Sequence, residues 1–174
     1  MPSDTDEHLL RPHPPRASTT TPPVQIIVDD LSGPRIAALL GEHLADMQAN
    51  SPACSMHALD LDALRVPGIT LWSVWDDTDL LGCGALKQLD PTHGEIKSMR
   101  TAAAHTGRGI ATLLLDHIIT TTRSHGYHRL SLETGASDFY TPAQRLYTRH
   151  GFERCAPFAD YTADPHSVYM TRAL

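Results

Sequence analysis

The chain has 174 residues, a formal net charge of −6 and a sequence pI of about 5.9. This length suits one domain with a substantial core, and the negative charge argues against a nucleic-acid partner, which usually requires a basic surface. No apolar run approaches the roughly 20 residues of a transmembrane helix, so no membrane association is predicted. The cysteines, Cys54, Cys83 and Cys155, are odd in number and far apart, which favours reduced thiols and a cytoplasmic protein.

The N-terminal segment, residues 1–23, holds six of the thirteen prolines and few residues that could form a core. It is predicted to be a disordered tail, which leaves residues 24–174 as one domain. The β-branched run Val24–Val28 predicts a first strand. Apolar residues at helical spacing then predict an amphipathic helix from Gly33-Pro34 to about Asn50.

The middle of the chain alternates short apolar runs with turn residues. After an irregular stretch with a short helix over 59–64, three strands joined by short turns predict an antiparallel meander: 69–75, 80–89 and 95–101. Gly82 and Gly84 lie inside the second of these strands, where they mark a bulge or a close contact.

The last third of the chain changes to alternating helices and strands. The predicted elements are a helix over 109–125, a strand over 128–133, a helix over 137–150, and two strands at 152–155 and 167–172. The first of these helices provides a crossover, so strands 95–101 and 128–133 are expected to be parallel neighbours. The predicted fold class is α/β with a mixed sheet, in which the meander precedes a βαβα unit.

The connection before the helix over 109–125 reads Gly107-Arg108-Gly109-Ile110-Ala111. Glycines let the backbone approach a ligand closely, and the first N–H groups of a helix lack intrahelical partners. Together with the helix dipole, these donors predict a seat for phosphate. A Walker loop would need Lys and Ser or Thr after the second glycine, and a Rossmann loop would need a third glycine; neither is present.

The surrounding motifs make this glycine pair more specific. A strand Glu-Ile-x-x-Met-x-Thr precedes the loop, and a Leu-rich helix, a strand Leu-x-Leu-Glu-Thr and the motif Ala143-x-x-Leu146-Tyr147-x-x-x-Gly151-Phe152 follow it. This order resembles the GNAT N-acetyltransferase superfamily, and residues 94–100 and 157–161 are similar to its small bacterial YsnE-like acetyltransferases. The resemblance implies splayed parallel central strands, acetyl-CoA as co-substrate and no metal.

The resemblance also implies which residues bind the co-substrate. Backbone groups of 99–101 would pair with pantetheine, and backbone N–H groups of 107–111 would bind the pyrophosphate. The family usually has Gln or Arg in the place of Thr106, which leaves that side-chain phosphate contact open. The predicted cofactor-binding residues are Met99, Arg100, Thr101, Thr106, Gly107, Arg108, Gly109, Ile110, Ala111 and Thr112.

Two catalytic residues follow from the same resemblance. Tyr147 matches a tyrosine near the CoA sulfur, where a phenol can protonate the departing thiolate; the alternative is a packing aromatic. Glu95 matches a glutamate base of some members and is expected to share a strand face with Lys97, Met99 and Thr101. The alternative for Glu95 is a surface pair with Lys97, and Glu133 is the second candidate base.

The predicted function is transfer of an acetyl group from acetyl-CoA to a primary amine of a small molecule, by direct attack in a ternary complex. The alternative is a non-catalytic acyl-CoA-binding or regulatory module with the same fold. Tyr140 stands where the family often has Asn, and acceptor recognition is expected in the loops, where His57, Arg100 and Tyr161 suit a carboxylate-bearing substrate. The eleven histidines show no metal-binding spacing, and a homodimer is left open.

Overall fold

The computed structural model describes residues 24–174, so the predicted N-terminal tail lies outside the described residues. The elements are β1 (Gln25–Val28), α1 (Pro34–Asn50), α2 (Leu61–Leu64), β2 (Ile69–Asp76), β3 (Asp79–Gln88), β4 (His93–Thr101), α3 (Ile110–Ser124), β5 (Arg129–Gly135), α4 (Thr141–Arg149), β6 (Glu153–Arg154) and β7 (Ser167–Ala173). Within residues 24–174, no helix has the length and apolar character needed to cross a membrane.

The seven strands form one mixed sheet in the order β1-β2-β3-β4-β5-β7-β6. Strands β2, β3 and β4 form the predicted antiparallel meander, and β4 pairs with β5 in parallel across the α3 crossover. Strand β7 pairs antiparallel with both β5 and β6. The predicted mixed α/β architecture is therefore confirmed.

The two central strands, β4 and β5, pair over only part of their length. Their parallel register runs from His93 opposite Arg129 to Ile96 opposite Leu132. Beyond these residues β4 pairs only with β3, and β5 pairs only with β7. The strands thus diverge toward their C-terminal ends, and the backbone groups on their facing edges have no strand partner there.

Helices cover both faces of the sheet. Helix α3 buries a stripe at helical spacing, and α4 adds two residues to the same apolar cluster: Ile110, Leu114, Leu115, Ile118, Ile119, Leu146 and Tyr147. Helices α1 and α2 cover the opposite face with Ile36, Leu39, Leu40 and Leu64. Burial of these stripes fixes α3 and α4 beside the gap between β4 and β5.

A β-bulge changes which side chains of β4 lie on each face of the sheet. The pairing of β3 with β4 shifts by one residue near Gly84, and Ser98 has a φ of 53°. The extra residue reverses the alternation, so Met99 packs into the same cluster as Ile96. The prediction that Met99 shares a face with Glu95 is therefore wrong. The predicted close contact is confirmed, because a Cβ on Gly84 would lie 2.5 Å from the Met99 Sδ.

The predicted helix over 137–150 is shorter than expected. A 3₁₀ turn occupies Asp138–Tyr140, and α4 begins only at Thr141, with proline in its first turn. Pro142 lacks an N–H group and is tolerated only at such a position, so it fixes the start of the helix. The helix then brings Tyr147 to the gap between the central strands.

Candidate active site

The loop before α3 passes twice through left-handed backbone, at Gly107 with a φ of 76° and at Gly109 with a φ of 80°. A Cβ at either position would meet nothing within 4 Å, so glycine serves the backbone conformation here. Gly109 is the N-cap of α3, and no side chain caps this helix. The N–H groups of the first helical turn therefore remain available to a ligand, at the positive end of the helix dipole.

A groove of about 640 Å³ begins at this loop and follows the end of β4 along α4. We call it the glycine-loop groove; all the predicted cofactor-binding residues line it except Arg108. The guanidinium of Arg108 instead hydrogen-bonds His105 Nδ1 at 2.7 Å. The hydroxyl of Thr106 donates to the Ala103 carbonyl at 3.1 Å, so it stabilises the loop itself.

A small pocket of about 100 Å³ lies in the gap between the central strands, and we call it the junction. Its walls include residues 96–99 of β4 and residues 133–135 of β5. Tyr147 lines both the junction and the glycine-loop groove. The junction is thus the place where a ligand in the groove comes closest to the gap in the sheet.

A third pocket of about 680 Å³ lies on the other side of the junction. We call it the lysine cavity, because its walls include both lysines of the chain, Lys87 and Lys97. Residues 57–59 and 159–162 complete it. His57 and Lys97 line the junction as well, so groove, junction and cavity are adjacent in that order.

Tyr147 packs in the core and also lines the groove and the junction. It is 6% exposed and packs edge-on against Phe152, with ring centroids 5.9 Å apart. Burial raises the pKa of Tyr147, and the Glu133 carboxylate adds to the shift. The phenol therefore stays protonated at neutral pH, as a proton donor must be.

Glu95 is 1% exposed, so the predicted pair with Lys97 forms but lies in a buried network and not at the surface. Its Oε1 accepts a hydrogen bond of 2.5 Å from the Tyr161 hydroxyl, and it forms an ion pair of 3.1 Å with Lys97 Nζ. Lys97 also donates to the Tyr161 hydroxyl at 2.8 Å. Burial, followed by the Glu95 charge, raises the pKa of Tyr161, so the phenol remains the donor in this network.

Glu133, the second candidate base, faces the junction together with Tyr147. The hydroxyl of Ser167 donates to its Oε1 at 2.6 Å. Burial raises the pKa of Glu133 more than this hydrogen bond lowers it. A partly buried carboxylate with a raised pKa is a stronger base than an exposed one, which makes Glu133 a candidate proton acceptor beside the cleft.

Helix α1 contributes a wall of the groove that the sequence did not reveal: His43, Asp46 and Met47. Asp46 pairs with Arg100 at 2.6 Å, which places Arg100 on the groove side and away from the lysine cavity. Burial lowers the pKa of His43 to about 4, with the Arg100 charge adding to the effect. The sequence spacing of residues 43, 46 and 47 places them on one face of α1. The sequence could not show that this face contacts Arg100, because the contact joins residues far apart in the chain.

Tyr140 links two walls of the groove. Its hydroxyl hydrogen-bonds the Ser51 hydroxyl at 2.8 Å, just after α1, and its ring covers the end of β5. A Cβ on Gly135 would lie 2.1 Å from the Tyr140 ring, so only glycine permits this packing. The residue that replaces the family's Asn thus supports the wall of the pocket.

Two other chemistries receive no support. Cys83 is buried in the core as predicted, and burial raises the pKa of its thiol to about 12, which disfavours the thiolate that a nucleophile needs. Among residues 24–174, no three His, Cys, Asp or Glu side chains come together in a way that could hold a metal ion.

Splayed parallel strands, a glycine loop at a helix N-terminus and a groove joining the two define the fold of a CoA-dependent acyltransferase. A model of the acetyltransferase (GNAT) family matches residues 36–152. The chain belongs to this family, as its motifs suggested, and it is an acetyl-CoA-dependent acyltransferase.

Individual relatives agree with this assignment. The chain is 52% identical to the uncharacterized N-acetyltransferase YsnE of Bacillus subtilis, over 87% of this chain and 100% of that protein. A solved structure from Klebsiella pneumoniae, provisionally assigned as an acyl-CoA N-acyltransferase, has a TM-score of 0.71 and 25% identity, and the match covers 87% of this chain and 97% of that chain. A GNAT acetyltransferase from Elizabethkingia anophelis with acetyl-CoA bound shares the fold, with a TM-score of 0.62 and 19% identity over 87% of this chain and 98% of that chain.

Proposed function

We propose that this enzyme transfers the acetyl group of acetyl-CoA directly to the primary amine of a small molecule, with both substrates bound at once. The observation that carries the proposal is the adjacency of the three pockets. Tyr147 lines the groove and the junction, Glu133 faces it across the junction, and the lysine cavity opens beyond. An amine in the cavity would therefore meet a thioester in the groove at the junction, where the proposed acid and base lie.

The residues of the groove fit the co-substrate, which supplies an acetyl group activated as a thioester. The uncapped N–H groups of 107–111, with Thr112 beside them, would hold the pyrophosphate. The free edge of β4 at 99–101 would hydrogen-bond the amides of pantetheine, as an added strand does. A backbone N–H near Met99 would stabilise the negative oxygen that develops on the carbonyl under attack.

Tyr147 is proposed as the general acid. Its position between groove and junction would bring the hydroxyl to the sulfur that leaves, and its raised pKa keeps the proton on the oxygen until the thiolate forms. A positioned proton donor of this kind contributes about 10²- to 10⁴-fold to a rate. The edge-on packing of its ring against Phe152 holds it in place.

Glu133 is proposed as the direct proton acceptor for the amine. It faces the junction, whereas Glu95 lines the lysine cavity behind it and already accepts two hydrogen bonds on Oε1. Glu95, the first candidate from sequence, remains the alternative base, acting from the cavity through a water molecule. The two carboxylates make different predictions, and the experiment that tests the function also separates them.

The experiment is a thiol-release assay with acetyl-CoA across amino acids, amino sugars, polyamines and short peptides. We expect one class of amine to stimulate release, with Glu133→Gln lowering kcat about 100-fold and Glu95→Gln lowering it less. Glu153→Gln, on the exposed strand β6, serves as the matched control. If CoA binds and no amine stimulates release, the chain is the non-catalytic binding module; if both glutamine variants keep full activity, neither carboxylate is the base.

A further inference from the structure

The chain has only two lysines, against twelve arginines, and the fold brings both to the same cavity. They come from neighbouring strands: Lys87 lies on β3 directly opposite Glu95, and Lys97 follows Glu95 on β4. Side chains that face each other across two antiparallel strands point to the same side, with Cβ atoms about 5 Å apart. The lysine cavity thus receives both ammonium groups on one wall.

The two ammonium groups differ in what they contact. Lys97 is 10% exposed and fully engaged with Glu95 and Tyr161. Lys87 is half-buried, and among residues 24–174 it forms no ion pair with any carboxylate. A positive charge on the wall of a cavity, without a partner, attracts an anionic group of whatever binds there.

The other charges around the cavity limit which anionic groups could bind at Lys87. Glu95 is compensated by Lys97, and Asp160 is exposed at the rim, where water screens it. These carboxylates repel a doubly charged phosphate more strongly than a singly charged carboxylate. Arg100, which the sequence offered for this task, is paired with Asp46 in the groove and does not line the cavity.

We propose that the acceptor is an amino acid-like amine, whose carboxylate is bound by Lys87. This proposal rests on the proposed function, because it needs an amine in the junction. Lys97 lines both junction and cavity, whereas Lys87 lines the cavity alone. The acceptor is therefore oriented with its amine near Glu133 and its carboxylate near Lys87.

Kinetics with matched acceptor pairs test the proposal. Each amino acid that stimulates thiol release is compared with its amide, which keeps the amine and removes the charge. We expect the amide to have a KM about tenfold higher, and Lys87→Met to remove this preference by raising the KM for the acid to that for the amide. Lys87→Arg should retain the preference, because it keeps the charge.

A second measurement needs no turnover. An amine-reactive acetylating reagent should modify Lys87 far faster than the buried Lys97, and mass spectrometry of the peptides reports each separately. We expect N-acetylated amino acids, which keep the carboxylate and have no amine to consume the reagent, to slow modification of Lys87 at least threefold, and the corresponding amides to give less protection.

The outcomes separate the two proposals. If amino acids and their amides are acetylated equally well, or if a phosphorylated amine is the better acceptor, the role of Lys87 is overturned. The proposed enzymatic function is then retained. Protection of Lys87 by N-acetylated amino acids without any transfer supports the carboxylate site and overturns the proposed reaction.

Discussion

The glycine-loop groove and the lysine cavity are built in opposite ways. The groove is formed largely by backbone groups and apolar side chains, and residues 99–112 of one continuous segment supply much of it. The lysine cavity collects charged and aromatic side chains from four separate segments: 57–59, 87–89, 95–97 and 159–162. Under the proposed function, the contrast means that the main chain would hold the acetyl donor, which is common to the family, whereas side chains would select the acceptor.

Tyr147 lies where the two regions meet, so its substitution has the largest expected effect. Tyr147→Phe removes the proposed acid and should lower kcat about 10²- to 10³-fold, with the Kd for CoA unchanged within about twofold. Steady-state thiol release and calorimetric titration measure the two quantities. Tyr127→Phe, outside all three pockets, is the control. Equal losses of rate and CoA affinity would assign Tyr147 to the groove alone.

Gly109→Glu tests the groove by itself. A carboxylate beside the phosphate seat should weaken CoA binding at least about tenfold by repulsion, since an unfavourable charge contact costs more than about 1 kcal/mol at short range. Gly126→Glu is a matched control, because Gly126 also has a positive φ of 83° and open space around it. Both variants should lose similar stability, as thermal melting will show. A normal CoA affinity in Gly109→Glu would place the pyrophosphate elsewhere.

His43 lines the groove, and its protonation affects the free energy of unfolding. Its folded pKa of about 4 lies below the ordinary 6.5, so between these values the unfolded chain binds the proton and the folded chain does not. The stabilisation is present above pH 6.5 and is lost as the pH falls toward 4, about 2 kcal/mol between pH 7 and pH 5. We expect His43→Gln to show less acid destabilisation than the wild type in urea unfolding at these two pH values. A parallel pH dependence in both proteins would contradict burial of a neutral imidazole.

Tyr161→Phe addresses the lysine cavity and has the smallest expected effect. Loss of one hydroxyl that bridges Glu95 and Lys97 should raise the KM for the acceptor about three- to tenfold. The Kd for CoA should not change, since Tyr161 does not line the groove. A change of CoA affinity as large as the change of acceptor KM would show that the two regions are coupled.

The same contrast explains how much the sequence could predict. Strand and helix order, the parallel pair β4 and β5, and the loop at Gly107 and Gly109 follow from periodicity and local backbone chemistry within contiguous segments. The burial of Glu95 could not be predicted, because it depends on Tyr161, sixty-six positions away. Gly82 and Gly84 indicated a bulge or a close contact in this region, but local patterns could not place the extra residue on β4 at Ser98, since it is a property of the β3–β4 pairing.

The divergence of β4 and β5 has a kinetic consequence. The glycine-loop groove and the lysine cavity have no lining residue in common and meet only at the junction. Under the proposed function, each product would therefore leave from its own pocket while the other is still bound. We expect neither substrate to be obliged to bind first, so that free CoA competes with acetyl-CoA and leaves the apparent affinity for the amine unaltered.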